Sequence, residues 1–295
     1  MKKWEDLPEY MKTEEVRKYY DILKKKGFSL FLKRVFDIVV SALLLIILSP
    51  FFLILAIAIK IDSPGPVFFR QVRITRYGKE FRIFKFRTMV NGADKKGSQV
   101  TVKNDARITK VGKFIRKCRL DEVSQLIDVF RGTMTFVGTR PEVPKYVDKY
   151  TPKMYATLLL PAGVTSDAAI YYKDESELLD ASSNPDETYV NEVLPAKMYY
   201  NLKSIENFGF FRDIGIMFKT VFAVLGKEYK GDYVPEKKDE AIVEESIENA
   251  EKVDNVCDKI EQNTVEIGIK AEQVDEKNTE ETNENNKQES EKAEE

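Results

Sequence analysis

Between Ile38 and Ile59 the sequence IVVSALLLIILSPFFLILAIAI runs for 22 residues without a charge, and no other feature restricts the fold as strongly. As one straight helix it measures about 33 Å, enough to cross a hydrocarbon core of roughly 30 Å. It lies too far along the chain to read as a signal peptide. A helix buried in a soluble core is the alternative, but such helices seldom stay charge-free for this length, so a membrane segment is expected. Ser49-Pro50 interrupts the run, and proline removes one helical hydrogen bond and crowds the preceding turn. A break there leaves arms of 12 and 9 residues, about 18 and 14 Å, and neither crosses alone. Lys33 and Arg34 precede the run, and Lys60, Arg70, Arg73 and Arg76 follow it. A spanning helix asks for one basic, cytoplasmic flank. Two basic flanks fit a re-entrant helix that enters and leaves on the same side. A kinked span fits equally well, because proline is tolerated in spanning helices.

The formal charge of −2 hides a division. Residues 236–295 carry 21 acidic and 8 basic side chains, whereas residues 1–235 carry 39 basic and 28 acidic ones. The 295 residues contain no histidine, which removes Ser-His-Asp and Cys-His nucleophile systems and any imidazole zinc site. Proton or phosphoryl chemistry must then use carboxylates, Lys, Arg, Tyr or a hard metal. Cys118 and Cys257 lack metal-ligand spacing and read as incidental thiols in a reducing setting.

Along the chain, residues 1–30 are polar with scattered aromatics and predict a surface helix. VFFRQVRI (67–74) and FRIFKFRTM (81–89) are rich in Phe, Val and Ile and predict a β-hairpin around Gly78. Residues 92–105 read as a polar loop. DARITKVGKFIRK follows, with Asp105 as candidate N-cap; its Ile108, Val111 and Ile115 suit a basic interfacial helix or a core-facing one equally. RKCRLDEVSQLIDVF then predicts a helix with Leu120, Val123, Ile127 and Phe130 on one stripe, and Asp121 and Glu122 in its first turn. In 207–225, Phe211, Ile214, Phe218, Phe222 and Leu225 recur at helical spacing, a stripe that can pack on the core or lie in the bilayer surface, core being the commoner outcome. From about residue 236 the chain has ten Ile or Val and no Leu, Phe, Tyr or Trp, and is expected to be disordered.

Five ordered blocks, KRVFDIVVSALLLIILSP, GPVFFRQVR, FRIFKFRTM, RITKVGKFIRKCRLDEVSQLIDVFRGTMTFVGTRPEVPKYV and FFRDIGIMFKTV, make residues 31–229 resemble the bacterial sugar transferases called monotopic phosphoglycosyl transferases. The resemblance implies an α+β, mainly helical protein. It would have a re-entrant membrane helix (31–62) broken at Ser49-Pro50, a small cytosolic catalytic domain (63–230) with a β-hairpin and amphipathic interfacial helices, and both flanks on the cytoplasmic side of a bacterial inner membrane. A polar segment (1–30) and a disordered acidic tail (231–295) complete the expected organisation. The implied reaction moves a phospho-sugar from a UDP-sugar to polyprenyl (undecaprenyl) phosphate, with release of UMP, and initiates an exopolysaccharide, lipopolysaccharide, capsule or glycoprotein glycan. Downstream glycosyltransferases would be partners; nucleic acid would not. The resemblance makes Asp121 the nucleophile and Glu122 a ligand of Mg²⁺.

That assignment agrees with the chemistry of the residues. A carboxylate attacking an anionic diphosphate needs neutralising cations, and Mg²⁺ takes one or two carboxylates together with substrate phosphates. Arg116, Arg119 and Arg140 can supply forks for phosphate oxygens, and Lys85 and Arg87 further charge from the hairpin. Each residue also has an ordinary reading. Asp121 and Glu122 suit a helix dipole, Lys85 and Arg87 can guard a strand edge, Arg116 and Arg119 can face anionic lipid, and Arg140 can belong to a turn. Three departures from the family pattern stand out. Thr139 replaces a proline in Gly-Pro-Arg-Pro, Thr133 replaces an aspartate, and PAGVTS (161–166) lacks the arginine of Arg-Pro-Gly-Ile-Thr-Gly, for which Lys153 or Lys173 can substitute. The competing expectation is a non-catalytic, membrane-anchored scaffold that binds nucleotide sugar and recruits partners through its acidic tail.

Overall fold

The computed structural model describes residues 1–93, 105–173, 175, 179, 182 and 184–234. Most of the polar loop expected at 92–105 and nearly all of the acidic tail, with Cys257, lie outside the described residues. The chain divides into two units, Met1–Tyr233 and Val234–Glu295, and the first is described here.

Two 3-10 turns, Trp4–Asp6 and Glu9–Met11, lead into helix α1 (Glu14–Lys24). Thr13 caps α1 by accepting from the Val16 amide at 3.3 Å, and Glu14 and Glu15 favour its positive end. One face of α1 is at the surface, with Glu14, Glu15, Arg17, Lys18 and Lys24 exposed, and the other builds core. Leu7, Met11, Val16, Tyr19, Tyr20 and Leu23 are buried together with Leu158, Leu159, Met198 and Ile205 in the largest core cluster. Each such side chain contributes about 1.5–3 kcal/mol on burial, so residues 1–30 help to build the domain.

Helix α2 (Gly27–Asp62) carries the apolar run and continues through Pro50. Proline leaves the Ile46 carbonyl without its usual donor, and the Ser49 hydroxyl replaces it at 2.8 Å. The expected break therefore does not divide the element into two helices. Phe36, Val40, Leu44, Leu48 and Phe52 pack on one apolar cluster, and Phe51, Phe52, Leu55 and Ile59 on a second. One stripe of α2 thus meets the folded unit from Phe36 to Ile59, while Val39, Leu43, Ile46, Ile47, Leu53, Ile54 and Ile57 on its other sides are exposed.

Strands β1 (Phe68–Ile74) and β2 (Glu80–Phe86) form the expected hairpin, with Phe69 opposite Lys85 and Arg73 opposite Phe81. Its turn places Tyr77 at φ 62° and Gly78 at φ 70°. Helix α3 (Lys110–Lys117) starts later than expected. Thr109 caps it through the Gly112 amide at 3.0 Å, whereas Asp105 binds Arg107. A side chain at Gly112 would collide with the Thr88 carbonyl, so glycine lets α3 lie against the end of β2. Arg119, at φ 52°, then turns the chain into a 3-10 helix (Leu120–Gln125) that runs into α4 (Leu126–Arg131). The single α-helix expected over this stretch is thereby divided. Leu126 and Val129 face the core, and Phe130 is exposed.

Strands β3 (Met134–Val137) and β4 (Ala162–Thr165) pair in parallel, a second small sheet beyond the expected hairpin. Between them lie α5 (Pro144–Val147) and the 3-10 stretch Pro152–Leu159. Helices α6 (Asp167–Tyr171), α7 (Pro185–Thr188), α8 (Leu194–Glu206) and α9 (Phe210–Val224) follow, with a π turn at Tyr189–Val193. The architecture is mainly helical with one long apolar helix near the N-terminus. In α9 the expected core stripe faces outward. Phe211 is 84% exposed, Phe218, Phe222 and Leu225 are also exposed, and Asp213, Ile216 and Ala223 face inward.

Candidate active site

Asp121 and Glu122 open the 3-10 helix that the left-handed Arg119 creates, behind the inner face of β2. Strand alternation places Lys85 on that face, and its ammonium lies 3.0 Å from Glu122 Oε1. Arg140, three residues beyond β3, reaches the same carboxylate: Nη2 donates to Oε1, and Nη1 to Oε2 at 3.3 Å. Burial pushes the Glu122 carboxyl up, but Arg140 and then Lys85 outweigh that effect and hold it well below the usual carboxylate range. Glu122 in turn raises the Arg140 guanidinium above its ordinary value. Lys85 is lowered, because its burial exceeds the pull of Glu122.

Asp121 differs from its neighbour. No other residue's hydrogen bond or ion pair to its carboxylate is present among the described residues, and it is half-buried. Burial pushes its pKa up, Lys85 and Arg116 oppose that, and Glu122 adds to it. Arg116 is held by Thr88, Nε to Oγ1 at 2.8 Å, within electrostatic reach of Asp121. The arrangement is a paired, anchored carboxylate beside an unpaired one, with three cationic side chains around them.

Three other basic residues lie apart from these carboxylates. Arg87 does not join the cluster. It lies beyond the end of β2, 5% exposed, and donates to the Ser63 and Pro64 carbonyls at 2.5 and 2.7 Å, which ties the exit of α2 to the hairpin. Arg119 is exposed and donates to the Lys173 carbonyl at 3.2 Å, so 173 lies beside the turn into the site. Lys153 is exposed on the 3-10 stretch that packs on α1, in the N-terminal core.

The altered PAGVTS loop is strand β4. The Gly163 amide donates to the Thr139 carbonyl at 2.8 Å and the Gly138 amide to the Thr165 carbonyl at 2.9 Å. A side chain at Gly163 would collide with the Gly138 backbone, so this close approach carries the main chain into Arg140. Where the family pattern has aspartate, the Thr133 hydroxyl donates to the Asp128 carbonyl at 3.1 Å.

Residues that no sequence motif marks as part of the site support the Arg140 loop. Arg73 donates to the Pro141 carbonyl at 3.0 Å, and the Ile74 amide to the Glu142 carbonyl at 2.9 Å. Glu142 is buried and accepts from Tyr189 at 2.6 Å and from Lys197 at 3.4 Å, and Lys197 also pairs with Glu175 at 3.0 Å. Hairpin parity was the available signal for Arg73, which shares a face with Lys85; nothing local in the sequence joins Glu142 to Lys197.

The donors suit a hard cation. Glu122 Oε2 has a single long contact, Asp121 is unpaired, and three residues after Glu122 the amide of Gln125 is 1% exposed with neither polar atom partnered. Among the described residues no three Asp, Glu, His or Cys side chains converge, so a cation here would complete its oxygen shell from a substrate, as Mg²⁺ does.

A family model described as bacterial sugar transferase matches residues 28–227. The chain is 34% identical over 199 residues to the UDP-N-acetylgalactosamine-undecaprenyl-phosphate N-acetylgalactosaminephosphotransferase of Aeromonas hydrophila, covering 66% of this chain and 44% of that protein. It is 38% identical over 201 residues to the UDP-glucose:undecaprenyl-phosphate glucose-1-phosphate transferase of Klebsiella pneumoniae, covering 66% and 40%. It is 34% identical over 218 residues to the undecaprenyl-phosphate galactose phosphotransferase of Salmonella typhimurium, covering 69% and 42%. The matched region thus spans less than half the length of each of these relatives. Matched from the first turn of α2 to just beyond α9, across all the elements that build the Asp121–Glu122 site, the chain belongs to the bacterial sugar transferase family.

Proposed function

We propose that the chain transfers a phospho-sugar from a UDP-sugar to polyprenyl phosphate in two steps at Asp121. The observation that carries this reading is the asymmetry of the pair: Glu122 is pinned by Arg140 and Lys85, and Asp121 beside it is free. The three relatives are named for moving different sugars to undecaprenyl phosphate, so the acceptor class is carried over and the sugar is left open.

In the first step an Asp121 oxygen attacks the sugar-bearing phosphorus. The bond from that phosphorus to the bridging oxygen breaks, and UMP departs with the electron pair. In the second, an oxygen of polyprenyl phosphate attacks the same phosphorus and returns Asp121 as a carboxylate. A carboxylate nucleophile needs no base, which fits a chain without histidine. Arg140 and Arg116 neutralise diphosphate oxygens, and Lys85 holds Glu122 in place. When bound at Glu122, Mg²⁺ would add positive charge against the diphosphate.

The packing of α2 supports a re-entrant placement on the cytoplasmic side. The helix is cradled by the domain from Phe36 to Ile59. A perpendicular span would therefore carry the polar domain into the hydrocarbon, where unpaired polar groups are costly. The outward apolar faces of α2 and α9 then meet lipid, with residues 63–230 as the catalytic domain.

The test is UMP release from a panel of UDP-sugars with Mg²⁺ and polyprenyl phosphate, combined with intact-protein mass spectrometry. Donor alone should give a phospho-sugar adduct on wild type and none on Asp121→Asn. Nucleotide-sugar binding without UMP release from any donor would instead support the scaffold reading.

A further inference from the structure

Along the hairpin and α4, a cleft of about 470 Å³ is lined by Arg70, Val72, Glu80, Phe81, Arg82, Asp128, Arg131 and Thr133. Arg70 is fixed in it. Its Nε and Nη2 donate to the Arg82 carbonyl at 3.1 and 2.6 Å, and its guanidinium stacks 3.4 Å from the centre of the Phe84 ring. Arg70 lies within electrostatic reach of Asp128 and then of Arg131 and Arg82, and among the described residues none of the three arginines is within 4.0 Å of a carboxylate oxygen. Of the two acids in the wall, Asp128 is 2% exposed and already accepts from the Phe84 amide at 2.8 Å, while Glu80 sits at the exposed end of β2. Asp128 offsets part of the repulsion among the three arginines, since both Arg70 and Arg131 act on it; with Glu80 the lining still holds three cations to two acids, an excess that a bound anion would neutralise. Arg's flat fork suits phosphate oxygens.

The cleft adjoins the start of the apolar helix. Arg34 of α2 donates to the Val129 and Phe130 carbonyls at 2.8 and 2.9 Å, and a side chain at Gly132, between Arg131 and Thr133, would meet its guanidinium. Next to that junction Phe31, Val35, Ile38 and Phe130 are exposed. A phosphate-binding cleft beside exposed apolar helix is the chemistry of one ligand class.

We infer that the Arg70–Arg82–Arg131 cleft holds the phosphate of an anionic phospholipid whose chains lie along the first turns of α2. The inference rests on the membrane placement of α2 and not on transfer chemistry at Asp121.

The experiment uses the full-length protein in mild detergent and native mass spectrometry with short-chain phosphatidylglycerol, phosphatidylcholine and inorganic phosphate as probes. Wild type should retain phosphatidylglycerol at least 10-fold more strongly than phosphatidylcholine. Arg82→Gln/Arg131→Gln should lose that preference while its thermal unfolding matches wild type. Lys110→Gln/Lys113→Gln on α3 should keep it, and so should Asp121→Asn, which separates this site from the catalytic reading. Equal loss in the α3 variant, retention in the arginine variant, or displacement by inorganic phosphate at equal concentration would each overturn the inference.

Discussion

The guanidinium of Arg140 and the carboxylate of Glu122 form a two-pronged ion pair, Nη1 to Oε2 at 3.3 Å with Nη2 on Oε1, and Lys85 joins it from the hairpin at 3.0 Å. Three separate segments, β2, the 3-10 turn and the loop after β3, therefore meet at one carboxylate. Replacing Arg140 by Ala should lower kcat for UMP release by about 10²–10³, the range for losing one preorganised charge donor at a reacting centre. Arg140→Lys should fall between, because it keeps charge but loses the fork. Steady-state kinetics on both variants, with circular dichroism to confirm folding, checks this; a wild-type rate for Arg140→Ala would remove it from the chemistry.

Acid should silence the enzyme early. In the proposed mechanism Asp121 attacks as a carboxylate, and burial holds its pKa above the ordinary Asp value. As pH falls through that raised pKa the nucleophile is protonated, so the acid limb of kcat/KM should lie above the roughly 3.9 of a free aspartate. Lys85 opposes the shift, so Lys85→Met should move the limb to higher pH as well as lower the plateau. Glu122 is held below the usual carboxylate range by Arg140 and then Lys85, so in wild type it titrates at lower pH than Asp121. Single-turnover UMP release across the acid range reads both quantities. A limb unchanged by Lys85→Met would separate it from Asp121.

Particular residues show what could be read without coordinates. The 22-residue run, the Phe-rich hairpin and the Asp121–Glu122 step are local patterns: the run is helical and the hairpin forms, but the two acids open a 3-10 turn where one α-helix is expected. The stripe of α9 has the same period whether it faces core or lipid, so Phe211 and Phe218 could not declare their outward side. Arg87 illustrates a different limit. Its strand position suggested a phosphate ligand, but the chain leaves β2 at Phe86 and turns it onto Ser63 and Pro64. Pairs such as Lys33 with Asp213, 180 residues apart, leave no local trace at all.

That pair yields a stability prediction. Lys33 Nζ lies 2.5 Å from Asp213 and 2.7 Å from the Val137 carbonyl, and both side chains are buried. Removing one partner leaves a buried charge, so Lys33→Ala or Asp213→Ala alone should each cost about 3–5 kcal/mol. The double variant Lys33→Met/Asp213→Leu should recover most of that, since apolar replacement of a whole buried pair is often neutral. Denaturant melts in detergent measure all three. Additive losses in the double variant would contradict the pairing.

The placement of α2 gives the last prediction. Lys33 and Asp37 near its start bind β3 and α9, with Asp37 accepting from Thr135 Oγ1 at 2.7 Å. At its end, Asp62 accepts from the Val111 amide at 2.8 Å on α3. Both ends of the apolar helix are therefore fastened to one domain. In a cysteine-free background made with Cys118→Ser and Cys257→Ser, single cysteines at Lys26 and at Pro64 should react with a membrane-impermeant maleimide from the same face. Inverted vesicles should label both, and right-side-out vesicles neither. Labelling of the two positions from opposite faces would show a span and would force the domain contacts at one end to break. Pro50→Leu supplies the matching control. It restores the amide that the Ile46 carbonyl lacks and makes the Ser49 hydroxyl bond dispensable, so a same-face result that survives it would assign the topology to the end anchors rather than to the proline.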